Sequence, residues 1–294
     1  MIKLIASDMD GTLLNHAMEV PEKNIAAVKQ AQAAGIEFIT ATGRGIAHAK
    51  SALDHADIHV PMILLNGARI IDEAGKTVFA APIEREKAFQ ILDLLDAQQI
   101  YYEIFTDEHV YSQNQAFRID FFADRAQEIM PQLTKKQAIA TTSKEMLKLP
   151  LTYVENIQQQ VLAADEEVLK IIAFDKIGPE HLAPIREKLH ALGGLAVTSS
   201  EETNLEINHQ DAQKGIALAH YAESKGLTAD EIMAIGDNLN DISMLSYAKT
   251  SFAMGNAAPE VKQIATNYTA TNEENGVAQA IEYVLAQNGP SFNP

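Results

Sequence analysis

Two acids, Asp8 and Asp10, follow the apolar run Leu4-Ile5-Ala6 in "KLIASDMDGTLLN". Residues two apart in an extended chain point to the same side, so both carboxylates are expected to crowd together at the end of a strand. Like charges at close range are costly and need compensation. A third acid, Asp237, follows the apolar run "IMAI", and Lys214 stands beside Gly215 where a helix begins. Thr42 and Gly43 follow "EFIT" and open another helix. A hard divalent cation with oxygen ligands, Mg²⁺, would offset two of the three negative charges. Lys214 would offset the third. A phosphate would then be held by the cation, Lys214, the Thr42 hydroxyl and the N–H groups near Gly43, since helix N-termini favour anions. In such a pocket a carboxylate can attack phosphorus and form an aspartyl-phosphate. The neighbouring acid can protonate the leaving alcohol and later deprotonate water.

Taken singly, each piece has a plainer explanation. A D-x-D pair suits a turn, Thr42 suits a helix N-cap, Asn66-Gly67 suits a hairpin, and Lys214 suits a surface. Their order along the chain argues otherwise. Each acidic segment follows an apolar strand, and ligands of open α/β sheets gather at the carboxyl ends of strands.

The elements that must position these residues are legible. Strands are expected at Lys3–Ser7, Ile36–Thr40 and Met62–Leu65, with a helix that starts near Pro21 and stops at Gly35, and another over Gly45–Leu53. Short apolar strands separated by helices predict a Rossmann-like parallel sheet with helices on both faces. Arg69–Asp72 and Thr77–Ala80 flank "EAGK", a hairpin signal. A helix over Glu84–Gln98 and the strand-like "YYEIFT", "HVYS", "VLKIIAF" and "LAVTSS" follow, with a helix over "PEHLAPIREKLHAL". The alternation of helix and strand returns after Asn208. The expected organisation is an α/β core of residues 1–83 and 201–294, interrupted by an inserted α+β domain of residues 84–200. The tail "NGPSFNP" is expected to be loose.

The 294 residues carry a formal net charge of -17, with 47% hydrophobic residues and no cysteine. The acidic surface argues against nucleic acid as a partner. The missing thiols exclude disulfides and Cys-ligated zinc. The N-terminus lacks the pattern of a signal peptide, and no apolar stretch reaches bilayer length. A cytoplasmic protein with no membrane partner is expected.

The sequence resembles the haloacid dehalogenase-like hydrolase superfamily, and within it the Cof-type phosphatases with a class IIB cap. "DMDGTLLN" is similar to the first family motif, "TATGR" to the second, Lys214-Gly215 to the third and "GDNLNDISML" to the fourth. "NGA" and "FAMGNA" resemble two further signatures. The resemblance implies Asp8 as nucleophile and metal ligand, and Asp10 as general acid/base with its backbone carbonyl on the metal. It implies Thr42, Gly43 and Lys214 on the phosphate, Asp237 as a further metal ligand, Asn240 and Asn66 on phosphate or substrate, and Asp241 beside the ligands rather than on the ion. It also implies that the insertion is a cap. Gly45 replaces a frequent Pro, and Ala212-Gln213 replaces a frequent Val-Ser; both bear on loop shape, not on the chemical groups.

The expected activity is Mg²⁺-dependent hydrolysis of small phosphorylated metabolites, sugar phosphates foremost. The alternatives are a phosphomutase or phosphotransferase, a pyridoxal phosphate phosphatase, and a non-catalytic metabolite-binding protein. No motif marks the substrate-facing residues of the insertion. Arg118 and Arg125, in "NQAFRIDFFADRAQ", are in a stretch that could face a polar substrate, but solvated helix charges are the expected reading; His109 and His181 are expected to be surface residues rather than ligands.

Overall fold

The computed structural model describes residues 1–146, 151–199 and 201–288. Ser200, the expected junction, and residues 289–294 of the tail lie outside the described residues. The chain divides into two compact units, Met1–Ala81 with the segment from Asp211 onward, and Pro82–Gln210.

The first unit begins with β1 (Leu4–Asp8), α1 (Glu22–Ala33), β2 (Glu37–Ala41), α2 (Ile46–His55), β3 (Met62–Leu64), β4 (Arg69–Ile71) and β5 (Thr77–Ala80). Every residue of β1 is buried, as a strand covered on both faces requires. The second unit carries α3 (Arg85–Ala97), β6 (Tyr101–Thr106), β7 (Val110–Ser112), α4 (Gln115–Ile129), α5 (Lys135–Met146), β8 (Leu151–Tyr153), α6 (Ile157–Ala164), β9 (Val168–Phe174), α7 (Pro179–Leu192), β10 (Leu195–Thr198) and β11 (Asn204–His209). The first unit resumes with α8 (Lys214–Ser224), β12 (Ile232–Gly236), α9 (Ile242–Tyr247), β13 (Thr250–Ala253), α10 (Pro259–Ile264), β14 (Asn267–Tyr268) and α11 (Gly276–Asn288).

In the first unit the strand order is β14-β13-β12-β1-β2-β3-β4-β5. The strands from β14 to β3 run parallel, and β4 and β5 add an antiparallel hairpin at one edge. This is the α/β sheet that the alternation predicts. β1 lies between β12 and β2, with Ser7 opposite Ile235 and Asp8 opposite Ala41. That register brings the carboxyl ends of three strands, and the loops beyond them, to one place.

The second unit is a mixed α+β body with the sheet order β10-β11-β9-β6-β7-β8, antiparallel except for β7 and β8. β11 pairs with β9 and β10 inside this unit, so residues 204–209 go with it rather than with the first. One face of its sheet, with Ile104, Ile171, Ala173, Leu205 and Ile207, packs on Ile91, Leu92 and Leu95 of α3 and Leu182, Ile185 and Leu189 of α7. The other face carries Tyr101 and Phe174, packed with Phe121 of α4. Successive residues of a strand alternate between the two faces. Among the described residues no helix is long and apolar enough to cross a membrane.

Candidate active site

β1 ends at Asp8, and the next five residues, Met9–Leu13, form a turn whose helical course is broken at Asp10 and Gly11. The turn depends on Gly11, whose φ of +74° is a region that side-chained residues rarely adopt. A Cβ at Gly11 would also collide with the Asp237 carboxylate. This corrects the expectation that Asp8 and Asp10 share one side of a strand. Asp10 lies beyond the strand, and its carboxylate is gripped by Arg44: Nη2 donates to Oδ1 at 2.5 Å and Nε to Oδ2 at 2.8 Å.

The charges that face Asp8 come from segments more than 200 residues later in the chain. Lys214, at the start of α8, is fully buried, and its Nζ donates to Asp8 Oδ1 and to Asp241 Oδ1, both at 2.6 Å. Gly215 lets α8 come this close to α9, since a Cβ there would meet the Met244 nitrogen at 2.9 Å. Asp241 is also fully buried, and its second oxygen accepts from the N–H groups of Asp237 and Asn238, each at 2.9 Å. Asp237 completes the group: ligand oxygens of Asp8, Asp237 and Asp241 all lie within 4.8 Å of one another. Asp237 Oδ1 accepts from the Thr12 hydroxyl at 2.7 Å.

The electrostatics follow from this crowding. Burial pushes the Asp8 carboxyl well above the usual carboxylate range, Asp241 and Asp237 add to the rise, and Lys214 opposes it. Burial also pushes Asp237 up, to about 6, with the Thr12 hydroxyl opposing and Asp241 reinforcing; a hydrogen bond with the Asp8 carboxyl lowers it. Burial alone would lower Lys214, yet Asp241 and Asp8 outweigh it and hold the ammonium above the usual lysine range. Three acids thus meet one ammonium, and the two uncompensated charges equal those of one divalent cation. The donors are all carboxylate oxygens, the ligand type that Mg²⁺ takes. The donor set therefore fits Mg²⁺. Asp241 already accepts bonds on both oxygens, so Asp8 and Asp237 have the larger share of lone pairs left for an ion.

Thr42 follows β2 directly and is fully buried; its Oγ1 accepts from the Arg44 N–H at 3.2 Å. Asn66, after β3, has a φ of +61°, and its Oδ1 accepts from Asn240 Nδ2 at 3.1 Å. The same Asn66 oxygen lies 2.9 Å from where a Gly43 Cβ would stand. The structure therefore brings together Asp8, Lys214, Asp237 and Asp241 in one charged group. It joins Asn66, Gly43 and Asn240 in a second, and sets Asp10 on Arg44.

Sequence reasoning assigned no role to three residues that hold this site in place. Arg44 lay in "TATGR" and Thr12 in "DMDGTLLN"; their partners are 34 and 225 residues away in the chain. Asn256, in "FAMGNA", donates from Nδ2 to the Gly11 carbonyl at 2.8 Å. Arg118, Arg125, His109 and His181 each have a polar partner inside the second unit. Arg118 is buried rather than solvated, and its Nε donates to the buried Glu103. Arg125 pairs with Glu201 at 2.7 Å. His109 contacts Glu166 at 2.8 Å and His181 contacts Asp175 at 2.5 Å.

A profile of the haloacid dehalogenase-like hydrolases matches residues 5–281. The chain is similar to phosphatase YwpJ of Bacillus subtilis (strain 168), with 34% identity over 97% of this chain and 100% of that one. It is similar to the 5-amino-6-(5-phospho-D-ribitylamino)uracil phosphatase YwtE of the same organism, with 32% identity over 97% of this chain and 99% of that one. Among solved structures, a haloacid dehalogenase-like hydrolase from B. subtilis superposes with a TM-score of 0.83, at 33% identity, covering 97% of this chain and 100% of that one.

Proposed function

Because this chain belongs to the haloacid dehalogenase-like hydrolases and is a phosphatase, we propose that it is a cytoplasmic, Mg²⁺-dependent enzyme that hydrolyses small phosphorylated metabolites, sugar phosphates foremost, through an aspartyl-phosphate on Asp8. The observation that carries this reading is the buried Lys214 ammonium set between Asp8 and Asp241, with Asp237 beside them. One matched relative is named for a substrate whose phosphate sits on a D-ribityl chain, which supports a sugar or polyol phosphate.

Asp8 and Asp237 would hold Mg²⁺, joined by the Asp10 backbone carbonyl, with Asp241 fixing them from behind. The ion supplies charge neutralisation, so that a dianionic phosphate can approach three carboxylates. Lys214 Nζ already binds Asp8 Oδ1 and directs the carboxylate's other oxygen to attack. That oxygen forms a bond to phosphorus as the bond from phosphorus to the ester oxygen breaks. The leaving alcohol takes its proton from Asp10. In the second half Asp10 takes a proton from water, the water oxygen bonds to phosphorus, and Asp8 is released as carboxylate with free phosphate. Each Asp10 oxygen accepts one bond from Arg44 here, which orients the carboxyl and leaves each oxygen a further lone pair for proton transfer. Thr42, Lys214 and the N–H groups around Gly43 would hold the phosphate oxygens, and Asn240 and Asn66 would border them. The choice of organic group is assigned to the second unit, read as a cap.

Phosphate release across sugar phosphates, nucleotides, pyridoxal phosphate and lipid-like phosphates tests this. Turnover is expected with Mg²⁺ and sugar phosphates, and loss is expected in excess chelator. Full activity in chelator contradicts the metal's role. Transfer to a second hydroxyl without accumulation of free phosphate contradicts hydrolysis.

A further inference from the structure

The loop after β13 touches the proposed metal site through one side chain. Asn256 sits in an exposed position, yet both ends of its amide are engaged. Its Oδ1 accepts from the Asn272 N–H at 3.0 Å. Its Nδ2 donates to the Gly11 carbonyl at 2.8 Å and reaches Asp237 Oδ2 at 3.5 Å. The orientation of the amide follows from its partners: a backbone N–H only donates and a carbonyl only accepts, so Nδ2 has to face Gly11 and Asp237. The same loop binds the Asp237 backbone, since the Ala258 N–H donates to the Asp237 carbonyl at 2.9 Å. Asn272 extends the tie, with Nδ2 donating to the Leu14 carbonyl at 3.0 Å.

We propose that Asn256 is a positioning residue for the metal ligand Asp237: its amide and the Thr12 hydroxyl hold the two carboxylate oxygens from either side, and so preset the site for Mg²⁺. This inference rests on the reading of the acidic group as a Mg²⁺ site. The Thr12 bond fixes Oδ1 and the Asn256 contact restrains Oδ2, which together set the plane of the carboxylate. Each oxygen keeps a further lone pair for an ion. The same amide pins the Gly11 carbonyl, and with it the turn that follows Asp8. Partners one bond removed from a metal commonly govern its affinity about 10- to 100-fold.

The test is titration of the full chain with Mg²⁺ alone, by calorimetry and by thermal unfolding in chelator and in Mg²⁺. Asn256→Ala is expected to raise the Mg²⁺ dissociation constant about 10-fold. At saturating Mg²⁺, kcat should stay within about 3-fold, and the unfolding midpoint in chelator should fall by only the few degrees that the lost hydrogen bonds to Gly11 and Asn272 account for. In an Asp237→Asn background, Asn256→Ala should change Mg²⁺ affinity no further. Asn256→Ser keeps a polar group near Asn272 but lacks the reach to Gly11 and Asp237; it is expected to behave alike, and serves if the alanine variant does not fold. Unchanged Mg²⁺ affinity overturns the proposal, as does a loss accompanied by a larger fall of the midpoint in chelator. Failure of the natural protein to bind Mg²⁺ would instead overturn the reading of the site.

Discussion

In the first unit three carboxylates, Asp8, Asp237 and Asp241, gather around the single ammonium of Lys214. In the second, Arg118 meets Glu103 and Lys170 meets Glu206, so that each buried cation has an acid of its own. Glu103 also accepts from the Tyr101 hydroxyl at 2.7 Å. A buried charge is tolerated when paired and hydrogen-bonded, and the second unit meets that rule inside its own sheet. The first unit leaves two negative charges over, at the ends of strands rather than along them. The two buried pairs of the second unit suit a structural role, and the surplus on Asp8, Asp237 and Asp241 suits the cation proposed above.

Removing the proposed nucleophile is the largest way to break that contrast. Asp8→Asn should cut turnover by about 10⁴-fold or more, while circular dichroism and the unfolding transition stay native. Substantial turnover in a folded Asp8→Asn protein would mean that another group attacks phosphorus.

Lys214→Met is expected next in size. It leaves Asp8 and Asp241 facing each other without their shared cation. Turnover should fall about 10²- to 10³-fold, and stability in chelator should fall by about 3–5 kcal/mol. Denaturant titration and steady-state kinetics measure the two effects. Near-native activity would place Lys214 outside the chemistry.

Arg118→Met sharpens the contrast from the other side. It strands Glu103 in the second unit, so a stability loss of about 3–5 kcal/mol is expected. Turnover of the catalytic groups on a small aryl phosphate, measured per folded molecule, should change less than about 3-fold. A large loss of turnover without a loss of stability would make Arg118 part of the site.

The smallest effect is one of pH. Burial raises the folded-state carboxyl of Asp237 to about 6 from an ordinary value of 3.8. The folded chain thus holds this proton more tightly than the unfolded chain does. The resulting stability is present below the unfolded value and is lost as pH rises through about 6. Asp8, raised by burial and by Asp241, acts in the same direction. Between about pH 4 and 6.5, the span from the ordinary to the folded value, thermal unfolding in chelator should show a falling midpoint. Mg²⁺ should flatten the slope, because a bound cation favours the ionised carboxylates. An equal slope with and without Mg²⁺ would detach these acids from the ion.

The parts of this contrast that sequence reveals are those set by local pattern. Asp8 and Asp237 were legible because an apolar run ends at each, and the run fixes a buried strand. Asp10 was misplaced because a period of two was carried past the strand's end; Gly11, with its positive φ, is the sign that the chain turns there. Strand β11 was not read although Asn204, Glu206 and Asn208 alternate with Leu205 and Ile207 at the strand period; all five are buried, so its polar residues lie inside the unit. Arg118 reads as a surface helix charge because Glu103 lies on a strand before the helix and meets it only in the folded unit. Thr12 and Asn256 were hidden for the same reason, since their partners are 225 and 245 residues distant.

The central claim is that the unbalanced acidic group carries a covalent reaction on Asp8. Rapid acid quench of the Asp10→Asn protein with Mg²⁺ and a substrate bearing a good leaving group, followed by peptide mass analysis, tests it most directly. That variant keeps the nucleophile but lacks the group that activates water, so the intermediate should persist. The account predicts phosphate on the peptide that contains Asp8, removed by hydroxylamine as an acyl phosphate is. Hydrolysis in the natural protein with no phosphate on Asp8 in either protein, at any quench time, would contradict it.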